Sequence, residues 1–188
     1  MTKKRIKTQF DKFQYFYPYT VAIIGAKAQE KTNFMSCAWH TALSFDPPLF
    51  GVLVSKKRFT HQVIAEAKEF TVNFIRADQA LLSAQYGRKS GFDMDKADKF
   101  PIKLSPSTTI RSPVIDDAYV CFECQLKEIR AYGDHDLFVG EVQAIHEEED
   151  SFDGQGVLDP RRTCPLLYLG SDFYLTIDPD SLVHILPD

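Results

Sequence analysis

Asn33-Phe34-Met35-Ser36-Cys37-Ala38-Trp39-His40-Thr41-Ala42-Leu43-Ser44-Phe45, then Asp46-Pro47-Pro48, then Leu49-Phe50-Gly51-Val52-Leu53-Val54, then Ser55-Lys56-Lys57-Arg58-Phe59-Thr60, is the stretch that decides the fold. It reads as one strand over Thr32–Phe45, a turn at the proline pair that no central strand tolerates, and a second strand over Leu49–Val54. Small residues beside Trp39 let a flat ring approach the backbone. The Ser/Lys/Arg/Thr cluster that follows offers hydroxyls and cationic donors to a phosphate. A planar group with a phosphate tail describes flavin mononucleotide (FMN). Ser55, Arg58 and Thr60 would form the cradle, with a helix start at Thr60 adding its positive dipole end. A solvated strand-to-helix turn with ordinary surface charges is the competing reading, since helix starts of this kind are common.

Outward from this stretch the pattern stays mostly β. Tyr19–Ala26 and Phe70–Ile75 are β-branched and aromatic, and Ala118–Arg130 and Leu137–Ile145 read as strands joined by the turn Tyr132–Asp136. Two short helices intervene. Thr60 is the expected N-cap of the first, with Val63, Ile64 and Ala67 on one face and an end near Lys68. Asp78 caps the second, which carries Leu81, Leu82 and Tyr86 and breaks at Gly87. A charged loop, Arg88–Phe100, follows. Many strands with little helix predict a mainly β chain, an antiparallel barrel with helical decoration. Strands do not alternate with full-length helices, and neither GxGxxG nor a P-loop occurs, which argues against a doubly wound nucleotide fold.

Composition narrows the function classes. At 188 residues the chain is expected to form a single domain over 1–188 that buries roughly 70% of the surface of its unfolded form. A 44% hydrophobic content with 15 Phe suggests an aromatic-rich core. A net charge of −4 disfavours nucleic acid as a partner and suits a small anionic ligand at Lys56-Lys57-Arg58. No apolar h-region follows the basic N-terminus and no run approaches a membrane span, so a cytoplasmic setting with no membrane partner is expected. Cys37, Cys121, Cys124 and Cys164 are then expected as free thiols.

The remaining motifs divide between chemistry and structure. Cys121-Phe122-Glu123-Cys124 matches C-x-x-C, but within a strand those sulfurs point to opposite faces, and no second pair completes a metal site. No metal is expected. His146 beside Glu147–Asp150 reads as an acidic strand end. His135, in the turn between two strands, is either a donor toward a second substrate or a turn histidine held by Asp134 or Asp136. No Ser-His-Asp or Cys-His arrangement stands out, which a cofactor that performs the redox chemistry would not require.

In the order in which they occur, Asn33 with Ser36-Cys37-Ala38-Trp39, Ser44–Pro48, Ser55–Thr60, Phe70–Asn73, Ser90-Gly91 with Asp98-Lys99-Phe100, Glu123-Cys124, Gly133-Asp134-His135 and Gly140-Glu141-Val142 resemble the flavin reductase-like, FMN-binding split-barrel family, which includes flavoredoxin-type proteins. The resemblance covers about residues 17–170. It implies a six-stranded Greek-key split β-barrel and a homodimer with FMN near the subunit interface. By the same analogy Met35, Ser36, Cys37, Ala38 and Trp39 contact the isoalloxazine, Ser55, Arg58 and Thr60 the phosphate, and Asn73, Ser90 and Lys99 complete the site. His135 corresponds to the position near the nicotinamide or the exposed flavin face. The implied activity is NAD(P)H-dependent reduction of a flavin or other acceptor, with hydride passing to flavin N5. The acceptor is a small molecule or a protein. An FMN-binding electron carrier without NAD(P)H activity is the alternative, and a non-catalytic flavin-binding scaffold is a third.

Overall fold

Residues Ala22–Ala26 are buried without interruption rather than alternately, the mark of a strand covered on both faces. The computed structural model, which describes residues 4–186, shows what covers them. Ile24 points into one apolar core with Phe70, Val72, Phe138 and Val52. Its neighbour Ile23 points into another with Phe34, Ile75, Tyr86 and Leu166. Successive strand side chains alternate faces, so a double-covered strand must be apolar throughout. Each such side chain contributes roughly 1.5–3 kcal/mol by burial.

The strands are β1 (Tyr19–Thr20), β2 (Ala22–Ala28), β3 (Lys31–Cys37), β4 (His40–Phe45), β5 (Pro48–Ser55), β6 (Glu69–Phe74), β7 (Leu104–Ser105), β8 (Val114–Ile115), β9 (Val120–Tyr132), β10 (His135–Glu147), β11 (Leu167–Gly170) and β12 (Phe173–Leu175). The helices are α1 (Phe59–Ala67), α2 (Ala80–Arg88) and α3 (Lys96–Lys99). The main sheet runs β3-β2-β6-β9-β10-β5-β4, and every neighbouring pair is antiparallel. β3 and β4 are consecutive in the chain yet lie at opposite edges. The chain crosses from one edge to the other through Ala38-Trp39, where the Leu53 N–H donates to the Trp39 carbonyl at 2.9 Å. The sheet closes there into a Greek-key split barrel. Counting β3 and β4 as the one long strand expected over Thr32–Phe45 gives the six strands of that fold.

Helix α1 packs on the barrel core with Thr60, Val63, Ile64 and Ala67 buried, the i, i+3, i+4, i+7 stripe of an amphipathic helix. It ends at Lys68, which adopts φ 61° and returns its N–H to the Ile64 carbonyl. At Gly140 a Cβ would lie 2.6 Å from Phe70 Cζ and 2.7 Å from Cys124 Cβ, so the barrel wall admits only glycine beside Phe70.

Four boundaries differ from the sequence reading. The N-cap of α2 is Gln79 rather than Asp78, which lies inside the short 3-10 segment Ala77–Gln79 that leads into the helix. The residue at the N-cap of α1 is Arg58, and Thr60 lies inside the helix with its Oγ1 accepting from Asn33 Nδ2 at 2.7 Å. Helix α2 continues through Gly87 to Arg88, because the burial of Ser83 and Tyr86 outweighs the cost of one glycine. His135 is not in a turn but opens β10, paired with Ser55 on one side and Tyr132 on the other. Among the described residues no helix is long and apolar enough to cross a membrane, no group of side chains could hold a metal ion, and all four cysteines are free.

Candidate functional site

The crossing between the sheet edges leaves backbone groups without sheet partners. Pairing of β2 with β3 ends at Cys37 and pairing of β4 with β5 begins at His40. Among the described residues, neither the Ala38 nor the Trp39 N–H finds a backbone acceptor. Buried or partly buried amides are normally satisfied, so two adjacent free donors mark a place where something else supplies the acceptor. A cavity of about 270 Å³ opens over this segment.

Met35, Ser36, Cys37, Ala38 and Trp39 all line the cavity, as do Ser55, Arg58 and His135. Ser36 Oγ donates to the Ser83 carbonyl at 2.7 Å, tying β3 to α2. Burial pushes the Cys37 thiol up to about 12, and its Sγ lies 3.3 Å from the Trp39 carbonyl. That thiol stays protonated and serves as wall, not nucleophile. Trp39 is held from two sides. Its Nε1–H donates to Tyr17 Oη at 2.8 Å, and the His135 ring lies 4.9 Å from the indole. His135 Nδ1 is 2.8 Å from Asp134 Oδ1, so Asp134 sets the orientation of the ring. Burial raises the Tyr17 phenol above its usual range, which keeps it a proton donor at neutral pH.

The other end of the cavity is cationic. Arg58 reaches across to the Gly87 carbonyl at 3.1 Å. Lys56 is neutralised by Asp136 at 3.3 Å, a carboxylate that also bonds His61 at 2.8 Å and is held below its ordinary range first by that bond. Lys57 is exposed and lies outside the cavity. Of the three consecutive cations, Arg58 is therefore the one that faces the cavity. No side chain caps the N-terminus of α1, which leaves its first amides and dipole at the same end.

Four of the residues singled out in the sequence lie outside this cavity. Thr60 is engaged with Asn33. Asn73 is fully buried, donating to the Ile23 carbonyl and accepting from the Ile115 N–H. Ser90 accepts from the Phe92 N–H, and Lys99 is exposed. The lysine that α3 does bury is Lys96. Its Nζ donates to the Tyr86 carbonyl at 3.2 Å, one residue before the carbonyl that Arg58 takes. Two cations thus cap the C-terminal end of α2, where the helix dipole is negative. Burial first, and then the charge of Arg58, bring Lys96 down to about 8.

Other wall residues carry no local signature in the sequence. Tyr17, Tyr168, Asp172 and Tyr174 arrive from the two ends of the chain, and Arg88 from the end of α2. The small sheet β1-β11-β12 gathers them. Arg88 forms a forked ion pair with Asp172 at 2.7–3.1 Å, closing one side of the cavity. The site therefore joins a backbone wall with free donors, an aromatic rim and a cationic end.

A family model described as "Flavin reductase like domain" matches residues 14–175. The FMN-binding protein of Thermus thermophilus, solved with bound 1-cyclohex-2-enone, is 35% identical with a TM-score of 0.86, covering 98% of this chain and 100% of that one. The flavoredoxin of Methanosarcina acetivorans is 29% identical with a TM-score of 0.82, over 94% of this chain and 92% of that one. An FMN reductase (NADH), SmoA, of Agrobacterium fabrum is 30% identical over 69% of this chain and 71% of its own length.

Proposed function

The chain belongs to the flavin reductase-like domain family, and on that premise we propose that it is an FMN-dependent oxidoreductase that takes hydride from NAD(P)H and reduces a flavin or another acceptor. The observation that carries this reading is the broken strand at Ala38-Trp39, two residues whose amides have no backbone acceptor among the described residues and which line a cavity that Arg58 also lines. Free N–H groups along a flat wall suit the carbonyl edge of an isoalloxazine, and Arg58 with Ser55 and the uncapped start of α1 suits a phosphate. The residues present therefore fit FMN. When bound, FMN supplies the hydride acceptor and the two-electron redox chemistry.

What the chain supplies is position. Met35 to Trp39 form the floor, Ser55 and Arg58 the anion end, and Thr60, Asn73, Ser90 and Lys99 belong to the surrounding support rather than the cavity surface. Tyr17 and His135 flank Trp39 on either side, where a second substrate would stack, and exclude water from that face. The acceptor in this reading is a small molecule or a protein. The Thermus thermophilus protein holds 1-cyclohex-2-enone, which makes a planar carbonyl compound a reasonable first acceptor to assay. The protein is proposed to act in the cytoplasm, as one domain, as a homodimer.

A second reading follows from the flavoredoxin neighbour: an FMN-binding electron carrier that receives electrons from a protein. One experiment separates them. Protein loaded with FMN and desalted is mixed anaerobically with NADH or NADPH while the flavin band is followed. Bleaching by a nicotinamide supports the reductase and selects its donor. Retained flavin that only a chemical or protein reductant bleaches supports the carrier. Protein that retains no flavin and gives no flavin-dependent turnover overturns both.

A further inference from the structure

The turn between β5 and α1 is tied down by one buried carboxylate. Asp136, the second residue of β10, pairs with Val54 and faces the same way as the buried Phe138. Its neighbour His135 lines the cavity instead. Asp136 Oδ2 bonds His61 Nε2 at 2.8 Å, and Oδ1 lies 3.3 Å from Lys56 Nζ. The backbone closes the same turn. The Arg58 N–H donates to the Ser55 carbonyl at 2.9 Å, and the His61 N–H to the Arg58 carbonyl at 3.0 Å. Asp136 therefore holds residues on both sides of Arg58, Lys56 before it and His61 after it.

A buried anion is a costly clamp. The Asp136 side chain is only 9% exposed, and Oδ1 makes no well-directed hydrogen bond among the described residues. Charge attraction to Lys56 is what compensates that oxygen. Fold stability alone gives little reason for such a group, since well-packed apolar side chains commonly replace a buried ion pair without loss. Its position suggests another use. Ser55 and Arg58 line the cationic end of the cavity, and Lys56 between them does not. A carboxylate beside that end repels a phosphate. By drawing Lys56 aside it also removes a cation that a flexible four-carbon stem could otherwise bring there. Both effects weaken phosphate binding.

We propose that Asp136 sets the affinity for FMN, holding Lys56 aside so that the phosphate meets fewer cations than Lys56-Lys57-Arg58 could supply. This rests on the flavin reading of the cavity and adds to it a residue that tunes the same site from outside its wall. Titration of the flavin-free protein with FMN and with riboflavin, followed by flavin fluorescence at about 50 and 500 mM salt, tests it. Asp136→Asn keeps the side-chain shape and a bond to His61 while removing the charge. It should lower the Kd for FMN about fivefold at the lower salt, the order of one partly screened charge. Riboflavin, which lacks the phosphate, should bind as before, and the gain should shrink at the higher salt. Adding Lys56→Met to Asp136→Asn should abolish the gain. Lys56→Met alone leaves the carboxylate uncompensated and should raise the FMN Kd; because Lys56 is exposed, this variant carries the test even if Asp136→Asn does not fold. An FMN affinity unchanged in both single variants overturns the proposal and leaves the flavin reading standing. Equal changes for FMN and riboflavin also overturn it, since Asp136 would then act by shaping the cavity wall. A gain that survives Lys56→Met overturns the part assigned to Lys56. Wild type that binds neither flavin overturns the flavin reading and this proposal with it.

Discussion

The same sheet carries polar groups in two places, and they are treated in opposite ways. On β9, Glu123 is fully buried, and each of its carboxylate oxygens is saturated. Oε1 accepts from the Thr108 N–H at 2.6 Å and bonds His146 Nε2 at 2.5 Å, while Oε2 accepts from the Thr109 N–H and hydroxyl at 2.6 and 2.5 Å. Glu69, on the neighbouring strand, does the same for the Arg111 and Ser112 amides at 2.8 Å. At the cavity, by contrast, the Ala38 and Trp39 amides have no backbone acceptor, and Arg58 is exposed with one carbonyl partner. Saturation marks a group spent on folding, and unspent donors mark a place kept for a ligand. A strongly perturbed carboxylate is thus a poor guide to function in this molecule, although such groups often point to active sites elsewhere.

The largest effect expected from this contrast is on stability. Glu123→Ala strands several buried donors of the Thr108–Ser112 loop and should cost roughly 3–5 kcal/mol, a fall in melting temperature of about 10 °C or more. Flavin affinity per folded molecule should not change. The pH dependence has a definite sign. Burial alone would raise the Glu123 carboxyl, but the hydrogen bonds from Thr108, Thr109 and His146 outweigh it and hold it at about 2. Its folded value is below its unfolded one, so its contribution is complete above about pH 4.5 and is lost as pH falls toward 2. Thermal melts of both proteins from pH 7 to pH 2.5 should converge. A constant gap between them would show that the carboxylate charge is not what holds the loop.

Arg58 tests the other half. Arg58→Ala should weaken FMN binding by about 1–3 kcal/mol, a 5- to 150-fold rise in Kd, if one charge-assisted bond to the phosphate is lost. The melting temperature of the flavin-free protein should stay within about 1–2 °C, since an exposed side chain with one carbonyl partner contributes little. Riboflavin, which lacks the phosphate, should bind wild type and variant alike. Unchanged FMN affinity would remove the phosphate from this end of the cavity. Equal losses for riboflavin and FMN would mean that Arg58 shapes the wall instead.

How much of this was legible in the sequence follows from the range of the interactions. The segment from Met35 to Arg58 was legible in outline because its elements are contiguous and Asp46-Pro47-Pro48 marks the turn between them. The break at Ala38-Trp39 was hidden inside what reads as one strand, and the N-cap of the helix is Arg58 rather than Thr60. The strands around Val72, Cys124 and Phe138 announced themselves by residue type. The aromatic rim did not. Tyr17 and Tyr168 meet because β1 pairs with β11, with Tyr19 opposite Tyr168, and no local pattern encodes a pairing across nearly the whole chain. Glu123 was hidden differently. It sits inside Cys121-Phe122-Glu123-Cys124, where the cysteines draw attention, and its donors come from a loop 14–15 residues upstream. Lys96 and Lys99 lie one turn apart, and only packing decides which is buried.

His135 lies between the two extremes, partly buried and partly satisfied, and it gives the smallest and most discriminating test. Its Nδ1 is engaged by Asp134, while its ring leans on Trp39 at the cavity. If Asp134 holds the ring so that it faces a second substrate, His135→Ala should slow flavin reduction by NAD(P)H about tenfold, the worth of one hydrogen bond of about 1.4 kcal/mol. FMN affinity should change less than threefold, because the proposed flavin floor at Met35 to Trp39 is untouched. Asp134→Asn should reproduce a smaller part of the same loss by loosening the ring rather than removing it. Stopped-flow reduction at several NADH concentrations separates the cases. A slower limiting rate with FMN affinity intact places His135 among the groups kept for the ligand. An unchanged rate with a lower melting temperature would move it to the side of Glu123, as a residue spent on holding the β9–β10 hairpin together.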